Sequence, residues 1–287
     1  MVNLKKFIWL VSYPKSGNTW VRLFLHALQN NASLESLNKI DSTNGIASSR
    51  FIADEYLGIE SGELPDSFVQ TLRPQIFTKW AENLAGDTIV KVHDAAFHHG
   101  TFTFPKEVTK NVILIMRNPF DMAASYANHM QFSIEKAVLA LCNGNNSLAK
   151  NNKRLNNQLT QYMGSWSDFY NSWKNAYRND LHIVRYEDLK NNPIEIFTKI
   201  VEILKWNYSH EQICAAIQAV EFDKLKNLED KKGFKEKPTH TKNFFRKGEV
   251  GNWRNEITNE QANLLVNRHF YTLLELGYID ENGKILF

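Results

Sequence analysis

The sequence predicts an α/β fold in which a single domain, residues 1–287, has a central, mostly parallel sheet flanked by helices. Four short, near-continuous apolar segments have strand length, at residues 7–12, 88–93, 111–116 and 181–186. Strands buried on both faces are typical of parallel sheets. Helical patterns lie between these segments, as in α/β proteins. Finally, the first strand runs through a short loop directly into an amphipathic helix, from about Thr19 to Gln29.

Composition and charge limit the class of protein. Hydrophobic residues make up 43% and aromatic residues 12% of the chain, which favours a buried core and excludes a disordered chain. The net charge of +3 is too small for an extended nucleic-acid surface, so we expect no nucleic-acid partner, although it is compatible with a local anion site. Cys142 and Cys214 lie in unrelated contexts, which predicts a reducing compartment, the cytoplasm.

Apolar segments are also too short for a membrane protein. None reaches the roughly 20 residues that a membrane-spanning helix needs. The run from Phe7 to Val11 resembles the start of a signal peptide, but it ends at Ser12, short of the roughly 7–15 apolar residues of such a peptide. We therefore expect a soluble protein without a membrane span.

The loop after the first strand has the composition of a phosphate site. It reads Tyr-Pro-Lys-Ser-Gly-Asn-Thr-Trp over residues 13–20. Backbone N–H groups at the start of a helix converge on a phosphate, and Lys15 adds a point charge. In nucleoside triphosphate hydrolases the lysine follows the last glycine of the loop, whereas here it precedes Gly17. An ordinary turn with an exposed lysine is the alternative.

Later elements follow from local signals. Asn118-Pro119 and Asn192-Pro193 each predict a helix start, with an N-cap followed by proline. A capping box at Thr258 opens a final helix. Aromatic residues at helical spacing over residues 159–178 predict a core-packing helix. The lysine-rich segment 228–243 is typical of a solvated loop.

Three further segments place polar side chains where ligands bind. Arg117 ends the third strand and Ser125 follows in the next helix, an arrangement that can hold a phosphate at the carboxyl edge of a sheet. His93 ends the second strand, where an imidazole with a pKa near 6.5 can accept a proton. Arg246-Lys247-Gly248 forms a basic, flexible loop. Each has a simpler interpretation: a carboxylate-capping arginine, a structural histidine and a solvated loop.

Together these segments resemble the PAPS-dependent sulfotransferases that act on small molecules. Residues 13–20 resemble the 5′-phosphosulfate loop of that family. Residues 244–253 resemble its Arg-Lys-Gly-x-x-Gly-x-Trp signature, and the motifs occur in the family's order. The resemblance implies a P-loop-like strand-loop-helix, with 3′-phosphoadenosine 5′-phosphosulfate (PAPS) as co-substrate and PAP as product. It also implies that no metal is required.

The same resemblance implies roles for individual residues. His93 is the expected general base, Lys15 stabilises the leaving group and Lys91 neutralises the transferring sulfonate. Glu221 stands where relatives carry a small hydroxyl residue, which departs from the pattern of the adenine pocket. The expected nucleotide-binding residues are Lys15, Ser16, Gly17, Asn18, Thr19 and Trp20 around the 5′-phosphate, Arg117, Ser125, Arg246, Lys247 and Gly248 around the 3′-phosphate, and Tyr186 and Phe222 beside the nucleoside.

The acceptor is not encoded by any motif. We expect a small molecule, sulfonated on a hydroxyl or a nitrogen, in a pocket lined by residues 34–84, by the loop after His93 and by residues 143–153. Asp94 allows two interpretations. Its carboxylate binds a cationic acceptor, or it points into solvent while Phe97, Phe102 and Phe104 take a flat apolar phenol.

Two other functions remain open, and one assembly is not expected. A P-loop nucleotide kinase shares strand, loop and helix, and a catalytically idle nucleotide-binding module shares the binding residues. Many relatives dimerise through a short segment after the Arg-Lys-Gly loop. In the corresponding residues 254–263, Asn259 replaces a valine and Asn263 replaces a glutamate, so we expect no dimer of that type.

Overall fold

In a computed structural model the described residues are 4–40, 42–98, 100–151, 154–241 and 243–287, with only the backbone described for His98. The first half of the chain forms β1 (Phe7–Ser12), α1 (Asn18–Gln29), α2 (Arg50–Leu57), α3 (Asp66–Asn83), β2 (Thr88–Val92), β3 (Phe97–His98), β4 (Thr101–Phe102), β5 (Thr109–Met116), α4 (Pro119–Met130) and α5 (Ile134–Cys142). The second half forms β6 (Ser147–Leu148), β7 (Gln161–Tyr162), α6 (Trp166–Tyr177), β8 (Leu181–Arg185), α7 (Tyr186–Asn191), α8 (Pro193–Ile203), α9 (His210–Ala219), α10 (Phe222–Lys232) and α11 (Asn259–Glu275).

The central sheet has four strands in the order β2-β1-β5-β8. β1 and β2 pair in parallel, with Phe7 opposite Thr88 and Val11 opposite Val92. All six residues of β1 are buried, as expected for an inner strand of a sheet covered on both faces. The predicted α/β class with a central parallel sheet and flanking helices is confirmed.

The described chain divides into two compact units. The first, here called the sheet unit, comprises Met1–Tyr13, Thr43–Leu114 and Asn143–Ile183. Its core is an aromatic cluster in which the Trp9 ring lies 5.2 Å from Phe77 and 5.0 Å from Phe104 between centroids. The Trp9 indole N–H donates to Thr109 Oγ1 at 2.9 Å, so this buried polar group is satisfied.

The second unit, here called the helical unit, comprises Pro14–Ser42, Ile115–Cys142 and Val184–Phe287. In its core the Phe24 ring of α1 stacks on Phe197 of α8 at 4.0 Å between centroids. The predicted helix starts are present. Asn118 accepts the backbone N–H of Asp121, and Thr258 forms a capping box with Gln261. The expectation of a single domain over residues 1–287 stays a prediction.

Two segments differ from the sequence-based expectation. The helix predicted within residues 159–178 begins only at Trp166, because Ser165 forms a capping box with Asp168 and Gln161–Tyr162 pairs with β6 instead. The first part of the lysine-rich segment is helical, since α10 continues to Lys232. The helices not predicted are α2, α3, α5, α7, α9 and α10. In the described chain, no helix combines the length and the apolar character needed to cross a membrane.

Candidate active site

The loop between β1 and α1 forms a helix start suited to an anion. α1 begins directly after Gly17, which has a φ of 105° and provides no side-chain cap. The first N–H groups of a helix lack partners within the helix, and the helix dipole adds positive charge there. A Cβ at residue 17 would also lie only 2.7 Å from the Tyr186 ring. Glycine therefore provides both the left-handed turn and the space that the loop needs.

The other loop residues hold this turn in place. The Lys15 ammonium lies 3.8 Å from the centroid of the Phe244 ring, a cation–π contact. Ser16 is fully buried, and its hydroxyl donates to the Met122 sulfur at 3.4 Å. Asn18 and Thr19 are buried in the first turn of α1, and the Trp20 indole N–H donates to the Val220 carbonyl at 3.0 Å.

Arg117 links the phosphate loop, residues 13–20, to the segment 244–253, which contains the basic loop. One guanidinium nitrogen donates to the Lys15 carbonyl at 3.3 Å and another to the Glu249 carbonyl at 3.1 Å. The guanidinium also lies 4.4 Å from the centroid of the Tyr186 ring. These contacts hold a permanently charged guanidinium beside the phosphate loop. Ser125 lies half-buried in α4.

A group of aromatic rings lies in the same unit. The Trp20 and Tyr186 ring centroids are 6.0 Å apart. The Lys190 ammonium is 5.6 Å from the Trp20 ring and 6.0 Å from the Phe222 ring. Burial, with a smaller effect of the nearby Arg117 charge, lowers the pKa of Lys190, although Asp223 and Glu249 oppose this shift. Glu221, which departs from the family's residue pattern, pairs with Lys224 at 3.2 Å.

The basic loop is folded on itself. Arg246 donates to both oxygens of Glu256, at 2.5 and 2.7 Å, and the Lys247 ammonium lies 2.9 Å from Glu256 Oε1. Burial of Glu256 opposes its ionisation, but the hydrogen bonds and charges of both cations outweigh that effect and lower its pKa to about 2. Gly248 follows with a φ of 66°, and a Cβ there would come within 2.5 Å of Phe222.

Two buried carboxylates hold the segment 244–253, and no local sequence pattern indicates these contacts. Asp121 accepts the backbone N–H groups of Gly251 and Trp253 at 2.7 and 2.8 Å. Glu229 accepts those of Phe244 and Phe245 at 2.6 and 3.0 Å. Charge-assisted hydrogen bonds of this kind are stronger than neutral ones, so the segment 244–253 is held at both ends.

A second buried network supports the turn that carries Arg117. Glu187 Oε1 accepts both the backbone N–H and the side-chain amide of Asn118, at 3.0 and 2.7 Å. Its other oxygen accepts the Tyr278 hydroxyl at 2.9 Å. The only sequence signal for this network was the Asn-Pro helix start, which does not identify Glu187 as the partner.

In the sheet unit, His93 follows the last residue of β2. Its Nδ1 lies 2.7 Å from the Ser12 carbonyl oxygen and 3.4 Å from the Ser12 hydroxyl. A carbonyl oxygen only accepts, so this contact requires the proton on Nδ1, and in the neutral ring Nε2 is then the basic nitrogen. Lys91 lies half-buried two residues earlier in β2.

Asp94 does not point into solvent, contrary to one of the two interpretations from the sequence. It is 2% exposed and forms an ion pair with Arg73 of α3 at 2.5 Å. The positive charge that a cationic acceptor was expected to supply is therefore provided by the protein itself. This removes the electrostatic reason for expecting such an acceptor.

The three phenylalanines proposed for the acceptor pocket lie in different environments. Phe104 belongs to the aromatic core and is 1% exposed, with its ring 5.2 Å from Phe77. Phe97 and Phe102 face each other across the β3–β4 pair, with centroids 5.0 Å apart, and are 42% and 52% exposed. Of residues 143–153, also expected to line the pocket, the last two lie outside the described residues.

All predicted nucleotide-binding residues belong to the helical unit, whereas His93, Lys91, Asp94 and the three phenylalanines belong to the sheet unit. Within the helical unit, contacts link the phosphate loop, Arg117, Tyr186 and the basic loop. Their assignments to a nucleotide stay predictions. Among the described residues, no three His, Cys, Asp or Glu side chains are grouped as a metal site would require.

Comparison with known proteins identifies the family. A model of the sulfotransferase domain matches residues 5–271. The chain belongs to the sulfotransferase family. This confirms the predicted family and the predicted enzyme class.

Individual relatives are distant but cover most of the chain. Cytosolic sulfotransferase 12 of Arabidopsis thaliana is 26% identical over 89% of this chain and 73% of its own length. Flavonol 3-sulfotransferase of Flaveria bidentis is 22% identical over 88% of this chain and 77% of its own. The crystal structure of mouse sulfotransferase SULT7A1 complexed with PAP has a TM-score of 0.58 at 20% identity, covering 97% of this chain and 85% of that one. The last comparison supports the fold.

Proposed function

We propose that this sulfotransferase transfers a sulfonate group from PAPS to a hydroxyl or nitrogen of a small-molecule acceptor and releases PAP. One observation carries the proposal: in the helical unit, the start of α1, which has no side-chain cap, occurs together with a cationic loop and with Arg117, whose guanidinium contacts the Lys15 and Glu249 carbonyl oxygens. Such a set of groups is suited to a ligand with more than one phosphate.

The residues of the helical unit fit the nucleotide. The N–H groups at the start of α1 and the Lys15 ammonium would hold the 5′-phosphate end. Arg117, Arg246 and Lys247 would hold the 3′-phosphate, which would then compete with Glu256 for the two loop cations. The aromatic faces of Trp20 and Phe222 are suited to the adenine ring. Bound PAPS would supply an activated sulfonate and leave as PAP.

The chain's own residues then have three tasks. His93 Nε2 accepts the proton that the acceptor hydroxyl loses, because the Ser12 carbonyl holds the ring in the required tautomer. Lys15 places positive charge against the phosphate oxygen on which negative charge builds. Lys91 neutralises the oxygens of the transferred group. As in phosphoryl transfer, positioning and electrostatics supply most of the acceleration.

Context supports a cytoplasmic enzyme. Several relatives are named cytosolic sulfotransferases, and the two cysteines are free thiols in the structure. We therefore include the cytoplasm in the proposal, with no nucleic-acid partner and no dimer through residues 254–263.

Nucleotide binding tests the proposal directly. PAP at about 100 times its Kd should stabilise the fold by about 2.7 kcal/mol, a clear rise in Tm. ATP with magnesium is the matched control, since it lacks the 3′-phosphate. A Tm shift with ATP and magnesium but none with PAP would contradict the proposal and favour a nucleotide kinase. PAP binding without sulfonation of any acceptor in a broad panel would favour a catalytically idle module.

A further inference from the structure

The sheet unit contains a cavity whose lining includes Asp94, the residue that follows the predicted base. Its volume is about 160 Å³, close to that of cavities that hold one benzene-sized group. Asp94 lines it and directly follows His93, so their Cα atoms are about 3.8 Å apart. The residues that line the cavity are Ser67, Gln70, Thr71, Arg73, Asp94, Ala95, Thr101, Thr103 and Tyr162.

A buried ion pair belongs to the lining of this cavity. The side chains of Arg73 and Asp94 are each 2% exposed. Arg73 Nη1 donates to Asp94 Oδ1 at 2.5 Å and to Gln70 Oε1 at 3.2 Å. Arg73 Nε and Nη2 and Asp94 Oδ2 make no hydrogen bond to any described residue. Orphaned polar atoms of this kind are costly. The atoms are themselves almost fully buried, but the two residues that carry them belong to the cavity lining.

The walls around the pair are built before any ligand binds. The Asp94 carbonyl accepts the Trp173 indole N–H at 3.0 Å, and the Gln70 amide donates to the Thr160 carbonyl at 2.9 Å. The guanidinium lies 5.7 Å from the ring centroids of both Phe77 and Phe104, so its far side is apolar. A ligand group in the cavity would therefore lie beside an ion pair that the surrounding residues already hold in position.

The charge balance selects the kind of ligand. Arg73 and Asp94 cancel each other, so a charged group in the cavity would be buried without compensation. A purely apolar group would leave the three polar atoms unsatisfied. A neutral group with a hydrogen-bond donor and an acceptor on adjacent atoms satisfies both sides, donating to Asp94 Oδ2 and accepting from Arg73.

We propose that this cavity binds the polar end of a neutral acceptor that carries adjacent donor and acceptor groups, as a vicinal diol or a primary carboxamide does. Arg73 and Asp94 then determine acceptor specificity. The statement that the bound molecule is the acceptor rests on the proposed sulfotransferase function, whereas binding in the cavity does not depend on it.

Five phenols that differ only in a short tail test this inference. The tails are a carboxamide (4-hydroxyphenylacetamide), a vicinal diol (1-(4-hydroxyphenyl)ethane-1,2-diol), an alkyl group (4-ethylphenol), a cation (tyramine) and an anion (4-hydroxyphenylacetate). Binding is measured by calorimetry without turnover, and kcat/KM by PAP formation. The carboxamide or the diol should exceed the alkyl phenol and both charged phenols by about tenfold. If only the carboxamide phenol or only the diol phenol binds better, that result identifies which of the two groups the cavity prefers.

Two variants should change the order of affinity among the five phenols in opposite directions. Asp94→Asn leaves the Arg73 charge and should make the anionic phenol the best ligand, whereas Arg73→Gln should favour tyramine. Asp87→Asn is the matched control, since Asp87 pairs with Lys110 at a more exposed site of the same unit, outside the cavity lining. It should leave the order unchanged. If either charge variant fails to fold, Thr71→Val at the exposed edge of the cavity should weaken only the neutral polar ligands.

Each result bears on the inference. Equal binding of all five phenols, or an order that Asp94→Asn and Arg73→Gln do not change, would overturn it. If PAP does not bind while the calorimetric order holds, the proposed function fails and the cavity stands. If PAP binds and the neutral polar phenols have no advantage, the cavity proposal fails and the proposed function stands.

Discussion

The helical unit and the sheet unit differ in how they balance the positive charge of their arginine and lysine side chains. In the helical unit, Arg117 donates to the Lys15 and Glu249 carbonyl oxygens, and Arg246 and Lys247 share the carboxylate of Glu256. In the sheet unit, Arg73 and Asp94 form a pair of equal and opposite charges. The first arrangement suits a highly charged ligand and the second a neutral one. The residues predicted to bind the nucleotide lie in recognisable sequence motifs, whereas the residues that line the cavity lie in none.

The largest expected effect concerns His93. His93→Ala should lower kcat by about 10²–10⁴-fold, because it removes a general base. PAP affinity should stay nearly unchanged, since the proposed nucleotide residues belong to the other unit. Stopped-flow or steady-state PAP formation gives the rate, and calorimetry gives the affinity. His182→Ala, at the more exposed β8, is the control. A full rate for His93→Ala between pH 6 and 8 would show that another group accepts the proton.

Arg246 should show the reverse pattern. Arg246→Gln should weaken PAP binding by about 10–100-fold, since it removes a charge-assisted contact with a phosphate. The kcat at saturating PAPS should change little. Arg254→Gln is the matched control, because Arg254 stacks on Trp253 in the same loop. The double variant Arg246→Gln/Glu256→Gln avoids leaving the carboxylate with one partner fewer. Unchanged PAP affinity in both variants would remove Arg246 from the nucleotide site.

Glu256 provides a pH-dependent test of the same loop. Its pKa is about 2 in the folded protein, below the ordinary value of 4.5, because Arg246 and Lys247 stabilise the charged form. Its contribution, about 1–2 kcal/mol after screening, is therefore complete above pH 4.5 and lost as the pH falls towards 2. Glu256→Gln should lower the free energy of unfolding at pH 7 and flatten its decrease between pH 5 and 3. The same slope in Glu256→Gln and wild type would contradict the pairing. Glu82→Gln serves as an exposed control.

The smallest effect is expected at Thr258. Thr258→Ala removes the capping box of α11 and should lower the free energy of unfolding by about 1 kcal/mol. Thr258→Ser keeps the hydroxyl and is the control. The molar mass from light scattering should be the same in all three proteins, since no dimer through this segment is expected. A wild-type dimer that Thr258→Ala dissociates would show that this segment forms the interface after all.

Local signals explain which parts could be predicted from the sequence. The four strands, the helix starts after Asn118 and Asn192 and the cap at Thr258 each depend on neighbouring residues. For the same reason the phosphate loop and the Arg-Lys-Gly loop could be recognised as motifs. Their roles in binding PAPS stay predictions.

Partners that are far apart in the chain could not be predicted. Asp121 binds the backbone of Trp253, 132 residues away, and no short pattern connects them. Arg73 lies in α3, a helix that no local sequence pattern predicts, so Arg73 could not be recognised as the partner of Asp94. Without Arg73, only solvent or a cationic acceptor could be expected to stabilise the negative charge of Asp94. Phe104 could not be distinguished from a pocket residue, because core and pocket positions both favour aromatic side chains.

Gly17 and Gly248 have a consequence for how this sequence can vary. Each has a positive φ, and at each an added Cβ would lie within 2.7 Å of an aromatic ring, that of Tyr186 or of Phe222. Loops usually tolerate substitution better than cores. At these two loop positions we expect less tolerance than in the core, because even alanine would need both a strained backbone and a displaced aromatic ring. In a scan of all single substitutions, the two glycines would be among the least replaceable positions, while Gly45 and Gly58, which have open space around them, would accept small residues more readily.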